Sequence, residues 1–391
     1  MRKRLVYICD WLPPDFGAVG QYAVLFARQW AAEGWAVTLV GLTSGDSKCE
    51  LPKPVGLGTV EVIAVHRPKY QKQRFALRMV WTIISNILLL KAAFGAMRRA
   101  DAVLFTGSPP LMLHFIAPLN ILIDKHLIYR ITDFHPECLI VDGGWRGPLA
   151  EMVLRLTRFW RRRIDQFEVL GIDQARRLTA MGISEDRIRL KRDPSPVTFS
   201  QGLVPVDLPD ELEDASGVIL YSGNWGVAHD DKTFVQAYAE YRRRSDHGLT
   251  LWLNAVGAKA DGVERALRAH GVPMHRSSLV PLEDLPRLLL AVDVHLITLG
   301  DAFVGYVLPS KIHACIESGK RILFVGSESS DVHLLASQSP ERYCRVEVGD
   351  VEGLVKKLQA LELAVVAERK LSASQSEEPA KRRGRMTLIG N

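Results

Sequence analysis

Apolar residues in the first half of the chain form short, nearly unbroken runs that alternate with stretches of helical spacing. The runs cover residues 5–9, 36–40, 60–65, 102–105, 126–131 and 167–170. Runs of this length that are rich in Val, Ile and Leu are typical of strands buried on both faces of a parallel sheet. Helical spacing over residues 21–33 and in the later intervals places helices between the strands. The pattern therefore predicts an α/β domain.

The second half repeats this alternation. Strands are predicted at residues 218–221, 249–256, 292–299 and 321–325, with helices at 231–244, 260–270, 284–291, 309–318 and 351–368. Residues 192–213 are rich in proline and lack periodicity, which predicts a linker. The organisation is then an N-terminal Rossmann-like domain (1–200), a C-terminal Rossmann-like domain (201–370) and a flexible basic tail (371–391).

Each half begins with a strand, a glycine-bearing turn and a helix. The first turn contains Gly17 and Gly20, and the second contains Gly223 and Gly226. Such a turn exposes free N–H groups and the positive dipole end of the following helix, which together can hold an anion. Two such starts favour two similar domains facing each other across a cleft, where ligands usually bind.

The second turn has the better candidates for binding a phosphorylated ligand. Asn224 and Trp225 lie within it, Lys232 is predicted in the first turn of the next helix, and Ser310 and Lys311 begin another helix in the same half. An ordinary βα turn remains the alternative. The chain has neither a GxxxxGK[ST] nor a GxGxxG sequence, which disfavours an NTPase or a simple dehydrogenase.

In the first half, the loop at residues 133–137 places Asp133 and His135 directly after a predicted strand. These groups can hold sugar hydroxyls, act as a general base or stabilise developing positive charge. A structural loop with a satisfied Asp is the alternative. Among the other histidines, His114 is predicted to pack in the core and His229 to line the site, while hydrolase signatures are missing.

Charge and cysteine content limit which binding partners, cellular compartment and metal sites are expected. The net charge is +6, with 50 basic and 44 acidic residues, and no pattern for reading DNA is visible. Five scattered cysteines without a CxxC pair predict a reduced, cytoplasmic protein without a metal site.

Residues 75–97 form a candidate membrane contact. The uncharged run between Arg78 and Lys91 has twelve residues, whereas a spanning helix needs about 20 apolar ones. We therefore expect either a helix buried against the first sheet or one lying in the membrane interface. Basic clusters at residues 155–163 and 381–385 favour binding to an anionic membrane surface. The alternative for the same sequence pattern is a solvated helix face and a disordered tail.

Four stretches, found in order between about residues 5 and 360, resemble the GT-B glycosyltransferases of family 4, in particular those that build bacterial surface polysaccharides. They are residues 11–20, 130–137, 221–226, and 309–311 with 318–320. The resemblance implies transfer of a sugar from a nucleotide-sugar donor, with UDP as the favoured nucleotide, to a glycan or lipid-linked acceptor. It further implies retention of anomeric configuration and no metal or other cofactor.

The resemblance also assigns residues. The donor diphosphate would lie near Gly223, Asn224, Lys232 and Lys311 on the C-terminal domain, and the acceptor near Gly17 and Gly20. Ala314 stands where many members have a ribose-binding Glu, which leaves Glu317 as the nearby acid. Gly107 and Ser108 stand where the family's catalytic His is expected, which favours Asp133, then His135, as the catalytic polar group. The alternatives are a UDP-sugar 2-epimerase and an inactive GT-B binding subunit.

Overall fold

The computed structural model describes residues 2–13, 15, 18–45, 58–68, 75–141, 143–245, 247–257 and 259–386. The chain divides into two compact units. The first comprises Met1–Asp193 with Gly305–Leu308, and the second comprises Pro194–Val304 with Pro309–Asn391. The first unit thus ends at Asp193, a few residues before the boundary predicted at 200, and it takes in a short segment from the second half.

The described part of the first unit is a parallel sheet flanked by helices. Its strands are β1 (Arg4–Trp11), β2 (Ala36–Thr43), β3 (Thr59–His66), β4 (Ala102–Thr106), β5 (His126–Ile131), β6 (Gln166–Val169) and β7 (Ile188–Leu190). They lie in the order β3-β2-β1-β4-β5-β6-β7, and every pair is parallel. The order reverses between β1 and β4, so ligand-binding groups are expected at the carboxyl ends of these two strands.

The helices of this unit are α1 (Ala18–Ala32), α2 (Phe75–Arg99), α3 (Leu113–Ile123), α4 (Glu137–Val141), α5 (Pro148–Arg161) and α6 (Ile172–Ala180). Alternate residues of each strand pack on opposite faces of the sheet. Tyr7 belongs to the core formed with α1, whereas Ile8 belongs to the core formed with α2 and α3. Burial on both faces explains why the strands read as unbroken apolar runs.

The second unit has the same design. Its strands are β8 (Val218–Asn224), β9 (Thr250–Val256), β10 (Met274–Ser277), β11 (Val294–Thr298), β12 (Arg321–Val325) and β13 (Tyr343–Val346), in the order β10-β9-β8-β11-β12-β13. All pairs are parallel. Its helices are α7 (Asp210–Glu213), α8 (Lys232–Arg243), α9 (Ala260–Ala269), α10 (Leu285–Ala291), α11 (Lys311–Glu317), α12 (Asp331–Ala336) and α13 (Val351–Met386). Here the order reverses between β8 and β11.

Two predicted boundaries differ from the structure for clear reasons. The strand predicted at 218–221 continues as β8 through Gly223 and Asn224, because β9 supplies backbone partners up to Val256. The segment predicted to be a loose tail from residue 371 is helical as part of α13 as far as Met386. The Glu, Lys and Arg residues of this segment are good helix formers, whereas Pro379 and Gly384 within it are poor ones.

A buried ion network joins β5, β6 and the segment after β7 in the first sheet. Arg130 on β5 is 1% exposed; its Nη1 donates to Glu168 Oε2 at 2.8 Å and its Nη2 to Asp193 Oδ1 at 2.6 Å. Burial raises the pKa of the Asp193 carboxyl, and the Arg130 guanidinium opposes that rise. The guanidinium therefore compensates two buried carboxylates, one on β6 and one three residues after the end of β7.

We predict that Arg130→Met destabilises the first unit by about 3–5 kcal/mol, because it leaves the buried Asp193 carboxylate without a counter-charge and leaves Glu168 with only Lys191, whose Nζ lies 3.4 Å from its Oε1. Urea unfolding followed by Trp fluorescence measures the loss. The matched control is Arg155→Met, whose exposed pair with Glu151 should contribute less than about 1 kcal/mol. Equal effects of the two substitutions would contradict the assigned role.

Candidate functional site

In the second unit, polar groups gather where β8 and β9 end. Gly223 has φ +111°, a conformation that favours glycine, and nothing lies within 4 Å of where a Cβ would point. Ser222 Oγ donates to Asn254 Oδ1 at 3.1 Å, and Asn254 Nδ2 donates to Ser277 Oγ at 2.9 Å. The carboxyl edge of this sheet therefore combines an open backbone approach at Gly223 with an ordered polar row.

Lys311 is the unusual group at this edge. It is the first residue of α11, and its buried Nζ has no hydrogen-bond partner within the described structure. The ammonium lies 3.3 Å from the centroid of the Tyr221 ring on β8, which offsets part of its desolvation. Burial lowers the pKa of Lys311 to about 7. A cation held at this cost without a carboxylate suits an anionic ligand.

The remaining predicted donor residues occupy different surroundings. The Trp225 side chain is fully buried and stacks on Tyr221 with 3.8 Å between ring centroids, so it builds the core beneath the turn. Lys232 begins α8 and is exposed. Asn224 is exposed at the end of β8, and Gly226 follows Trp225 in the turn. Trp225 thus supports the turn from below, a role that its residue type does not reveal.

Lys259 was missed by sequence reasoning. Its Nζ donates to the His229 carbonyl at 2.7 Å and pairs with Asp231 at 3.0 Å, immediately before α8. His229 Nδ1 lies 2.5 Å from the Thr298 carbonyl oxygen at the end of β11. Burial, with Lys311 and Lys259 nearby, lowers the pKa of His229 to about 3, so the imidazole is neutral. Lys259 and His229 hold the segment between β8 and α8 in place.

On α11, Ser310 is half-buried directly before the helix, and Glu317 is its exposed last residue. Ala314 is buried in the apolar cluster beneath the sheet. A carboxylate at position 314 would therefore face this apolar core, whereas Glu317 is open to solvent. The sequence expectation that Glu317 replaces the missing acid stays a prediction.

In the first unit, Asp133 and His135 follow β5 directly. Asp133 forms an isolated antiparallel bridge with Val307, and the Phe134 amide donates to the Tyr306 carbonyl at 3.0 Å. Burial raises the pKa of the Asp133 carboxyl and lowers that of the His135 imidazole, although each favours the charged form of the other. His135 Nδ1 is buried with no hydrogen-bond partner in the described structure.

Asp10 is a second buried acid at the same sheet edge, and no sequence pattern marks it as a site residue. It lies near the end of β1, and Ser108 Oγ, just after β4, donates to its Oδ2 at 2.5 Å. Asp10 Oδ1 is buried without a partner, and burial raises the pKa of this carboxyl. A Cβ on Gly107 would lie 3.2 Å from the Asp133 carbonyl oxygen, so the ends of β1, β4 and β5 converge.

The loop that carries His135 is fixed by a buried ion pair. Arg161 on α5 pairs with Glu137 on α4, and its Nη2 donates to the His135 carbonyl at 3.3 Å. His114 is a packing residue, as expected: its Nε2 lies 3.0 Å from Thr157 Oγ1, between α3 and α5. The sequence-predicted pair Asp133 and His135 therefore sits on a braced loop, with Asp10 and Ser108 beside it.

Of the two glycines predicted on the acceptor side, the structure describes one. Gly17 lies outside the described residues. Gly20 lies in the first turn of α1, where a Cβ would come within 1.7 Å of the Trp11 carbonyl oxygen. The expectation of a loop residue is therefore corrected: Gly20 is a helix residue that allows α1 to pack closely against the end of β1.

Comparisons with known proteins agree with this architecture. No protein-family model matches the chain. Over 352 residues it is 21% identical to the Probable glycosyltransferase WbjE of Pseudomonas aeruginosa, which covers 86% of this chain and 84% of that protein. Similar solved structures include the sucrose-phosphate synthase of Thermosynechococcus elongatus, with TM-score 0.61 and 12% identity over 96% of this chain and 99% of that one. Another is Anabaena HepE in complex with UDP and glucose, with TM-score 0.53 and 11% identity over 96% and 100%.

At these identities the solved structures establish the fold alone. The chain has the GT-B fold, as the sequence predicted, with two Rossmann-like parallel-sheet units. The similarity to WbjE over most of both chains supports the predicted enzyme class, a glycosyltransferase.

We predict that Lys311→Met stabilises the ligand-free protein at pH 6 by about 1 kcal/mol or more, because it removes a buried unpaired charge. The pKa of Lys311 is lower in the folded state than in the unfolded one, so the wild-type protein gains stability as pH rises above about 7. The advantage of the variant should therefore shrink between pH 7 and 9. Thermal unfolding at each pH measures it, with exposed Lys232→Met as the control that should stay within about 0.5 kcal/mol of wild type.

Proposed function

We propose that this protein is a metal-independent, retaining glycosyltransferase that moves a sugar from a nucleotide-sugar donor to a glycan or lipid-linked acceptor. The observation that carries the proposal is the buried, unpaired Lys311 ammonium beside the open edge of β8. A diphosphate is the anion that fits such a position in a GT-B fold. The similarity to WbjE supports the same reaction class.

The donor diphosphate is proposed to bind against Gly223 and Asn224, with Lys311 as its counter-charge. The leaving diphosphate gains negative charge in the transition state, and a fixed cation that already lies in place stabilises it without reorganisation. Within the described residues, no three His, Cys, Asp or Glu side chains cluster as metal ligands. In this proposal Lys311 supplies the positive charge locally, and Ser310 and Lys232 assist from the helix starts.

UDP is the proposed nucleotide. In the Anabaena structure with the same fold, UDP and glucose are the bound molecules. Glu317 is proposed to reach the ribose, because it is the acid of α11 that is open to solvent.

The acceptor class, a growing surface polysaccharide or its lipid-linked precursor, follows from the family resemblance of the four sequence stretches. For such an acceptor we propose that the enzyme works in the cytoplasm, at the inner face of the cell membrane.

Asp133 and His135 are proposed to act on the transferred sugar or the acceptor hydroxyl. Burial raises the pKa of the Asp133 carboxyl and lowers that of the His135 imidazole, so it favours the neutral form of each group. Asp10 adds a buried carboxylate oxygen without a partner, in addition to the unpartnered Nδ1 of His135. Such groups accept hydrogen bonds from sugar hydroxyls and can move a proton.

The test of donor binding uses nucleotide sugars and thermal shift with the full chain. We expect a UDP-sugar to stabilise the wild-type protein, Lys311→Arg to retain much of the shift, and Lys311→Met to lose it. Lys259→Met serves as a structural comparison, since Lys259 braces the β8–α8 segment through His229. A full shift in Lys311→Met would contradict the assignment of the diphosphate site.

The affinity for the UDP-sugar should also depend on pH. Binding to the diphosphate needs the charged ammonium, so the association constant should fall about tenfold per pH unit above pH 7 and level off below it. Isothermal titration calorimetry between pH 6 and 9 measures the profile. Lys311→Arg should flatten it, because a guanidinium stays charged throughout this range. A flat wild-type profile would show that another group supplies the charge.

For the catalytic pair, we predict that Asp133→Asn lowers kcat by about 10²-fold or more while donor affinity stays within about threefold of wild type. Asp133 belongs to the first unit and Lys311 to the second, so the two substitutions should separate chemistry from donor binding. Sugar transfer to an acceptor extract, read by mass spectrometry, measures kcat. Conversion of the UDP-sugar without acceptor would instead indicate an epimerase, and binding without any turnover would indicate an inactive subunit.

A further inference from the structure

Exposed large apolar side chains concentrate on three neighbouring helices of the first unit. Within the described residues, 12 of 21 such side chains lie on α2, α3 and α5. Helix α3 packs against both α2 and α5, so the three helices form one layer on the sheet. We call its outer side the three-helix face. Apolar concentrations of this kind mark interaction sites far more often than isolated exposed residues do.

Helix α2 has two distinct sides. Leu89, Ala93 and Met97 are fully buried in the core against the sheet. The opposite side carries an apolar stripe at helical spacing that remains exposed: Leu77, Val80, Ile84, Ile87 and Phe94. One side of this helix therefore folds the unit, and the other has no partner within the chain as described.

Helix α5 repeats this arrangement on its outer side. Leu149 and Met152 are 59% and 56% exposed, and Leu156 and Phe159 continue the stripe at intervals of three and four residues. On α3, Leu122 is 82% exposed. The apolar surface thus extends across all three helices of the layer.

Basic residues accompany the apolar stripes. On α2, α5 and the two residues after α5, the exposed basic side chains are Lys91, Arg98, Arg99, Arg155, Arg158, Arg162 and Arg163. Among the described side chains of α2, α3 and α5, Glu151 is the single acidic one. It accepts a hydrogen bond from Arg155 Nε at 3.1 Å. A surface with apolar stripes and strong positive charge is complementary to anionic lipid headgroups over a hydrocarbon layer.

We propose that the three-helix face docks on an anionic lipid bilayer, with its apolar stripes at the headgroup boundary and its arginines on lipid phosphates. This proposal rests on the proposed glycosyltransferase function only for the reason why the protein would meet a membrane. Lipid binding itself is measured without turnover, so the two proposals can fail separately. It names the surface that would hold the enzyme where a lipid-linked acceptor is found.

A bilayer-spanning α2 is the competing arrangement. By length and apolar composition, Leu77–Arg99 is sufficient to cross a membrane, although the uncharged run in the sequence is shorter. In the folded unit, Ser85 and Asn86 of this helix are fully buried, and Asn86 Nδ2 donates to the Pro110 carbonyl at 2.8 Å. Spanning would remove this side of α2 from the sheet core, whereas surface docking leaves the core intact.

The test is vesicle flotation of the full-length protein at low and high salt. We expect binding to vesicles of phosphatidylglycerol and phosphatidylcholine, and little binding to phosphatidylcholine alone. The triple variant Arg155→Gln, Arg158→Gln, Arg162→Gln should weaken binding to the anionic vesicles roughly a hundredfold. The charge-matched control is Arg243→Gln, Arg265→Gln, Arg268→Gln in the second unit, which should bind like wild type.

A second variant tests the apolar stripe. Leu149→Gln with Met152→Gln should retain weak, salt-sensitive binding and lose the part that survives high salt, whereas Leu363→Gln, which alters another exposed leucine, should bind like wild type. Circular dichroism and unfolding curves check that each variant is folded.

Three results would overturn the proposal. The first is binding by the arginine triple variant at wild-type strength. The second is resistance of wild-type protein to alkaline extraction from vesicles, which would indicate a spanning helix. The third is loss of a dimer in Leu149→Gln with Met152→Gln while its vesicle binding is unchanged, which would show that the face joins two copies of the chain.

Discussion

The structure depends on two parallel sheets whose strands are buried on both faces. Parallel pairing brings all strand carboxyl ends to one edge, and helices must cover both sides of the sheet to satisfy the apolar strand residues. In each unit the strand order reverses at the first strand, β1 next to β4 and β8 next to β11. Asp10 and Ser108 lie at the first place, with Asp133 close by after β5, and Lys311 lies over Tyr221 of β8 at the second, so the pairing order fixes where chemistry can occur.

The groups at those edges are expensive to maintain. Lys311 Nζ, Asp10 Oδ1 and His135 Nδ1 are each buried without a hydrogen-bond partner in the described structure. A fold selected for stability alone would pair or replace them. By contrast, Arg130 and Arg161 are buried with their carboxylates and serve to hold β5 and the following loop. Buried ion pairs therefore mark the framework, whereas these three buried polar atoms without a partner mark the candidate site.

The same layer of helices that completes the first core also offers the surface proposed to meet a bilayer. Leu89 and Met97 of α2 point into the sheet, while Val80 and Ile87 of the same helix remain exposed. A helix that is apolar on both sides is costly in water unless something covers its outer side. The arginines of α5 make an anionic surface the fitting cover.

The sequence by itself determined the element types, because the local spacing of apolar residues differs between a buried strand and an amphipathic helix. The bounds of β5 and β12 agree with the pattern, and α8 begins within one residue of it. It also placed Asp133, His135, Gly223 and Lys311 at strand or helix ends. Only the tertiary structure decided that Trp225 is core, that Asp10 meets Ser108 across 98 residues, and that Lys311 is buried over Tyr221 without a partner. Desolvation and long-range pairing set these environments, and neither is encoded in the residues immediately around each group.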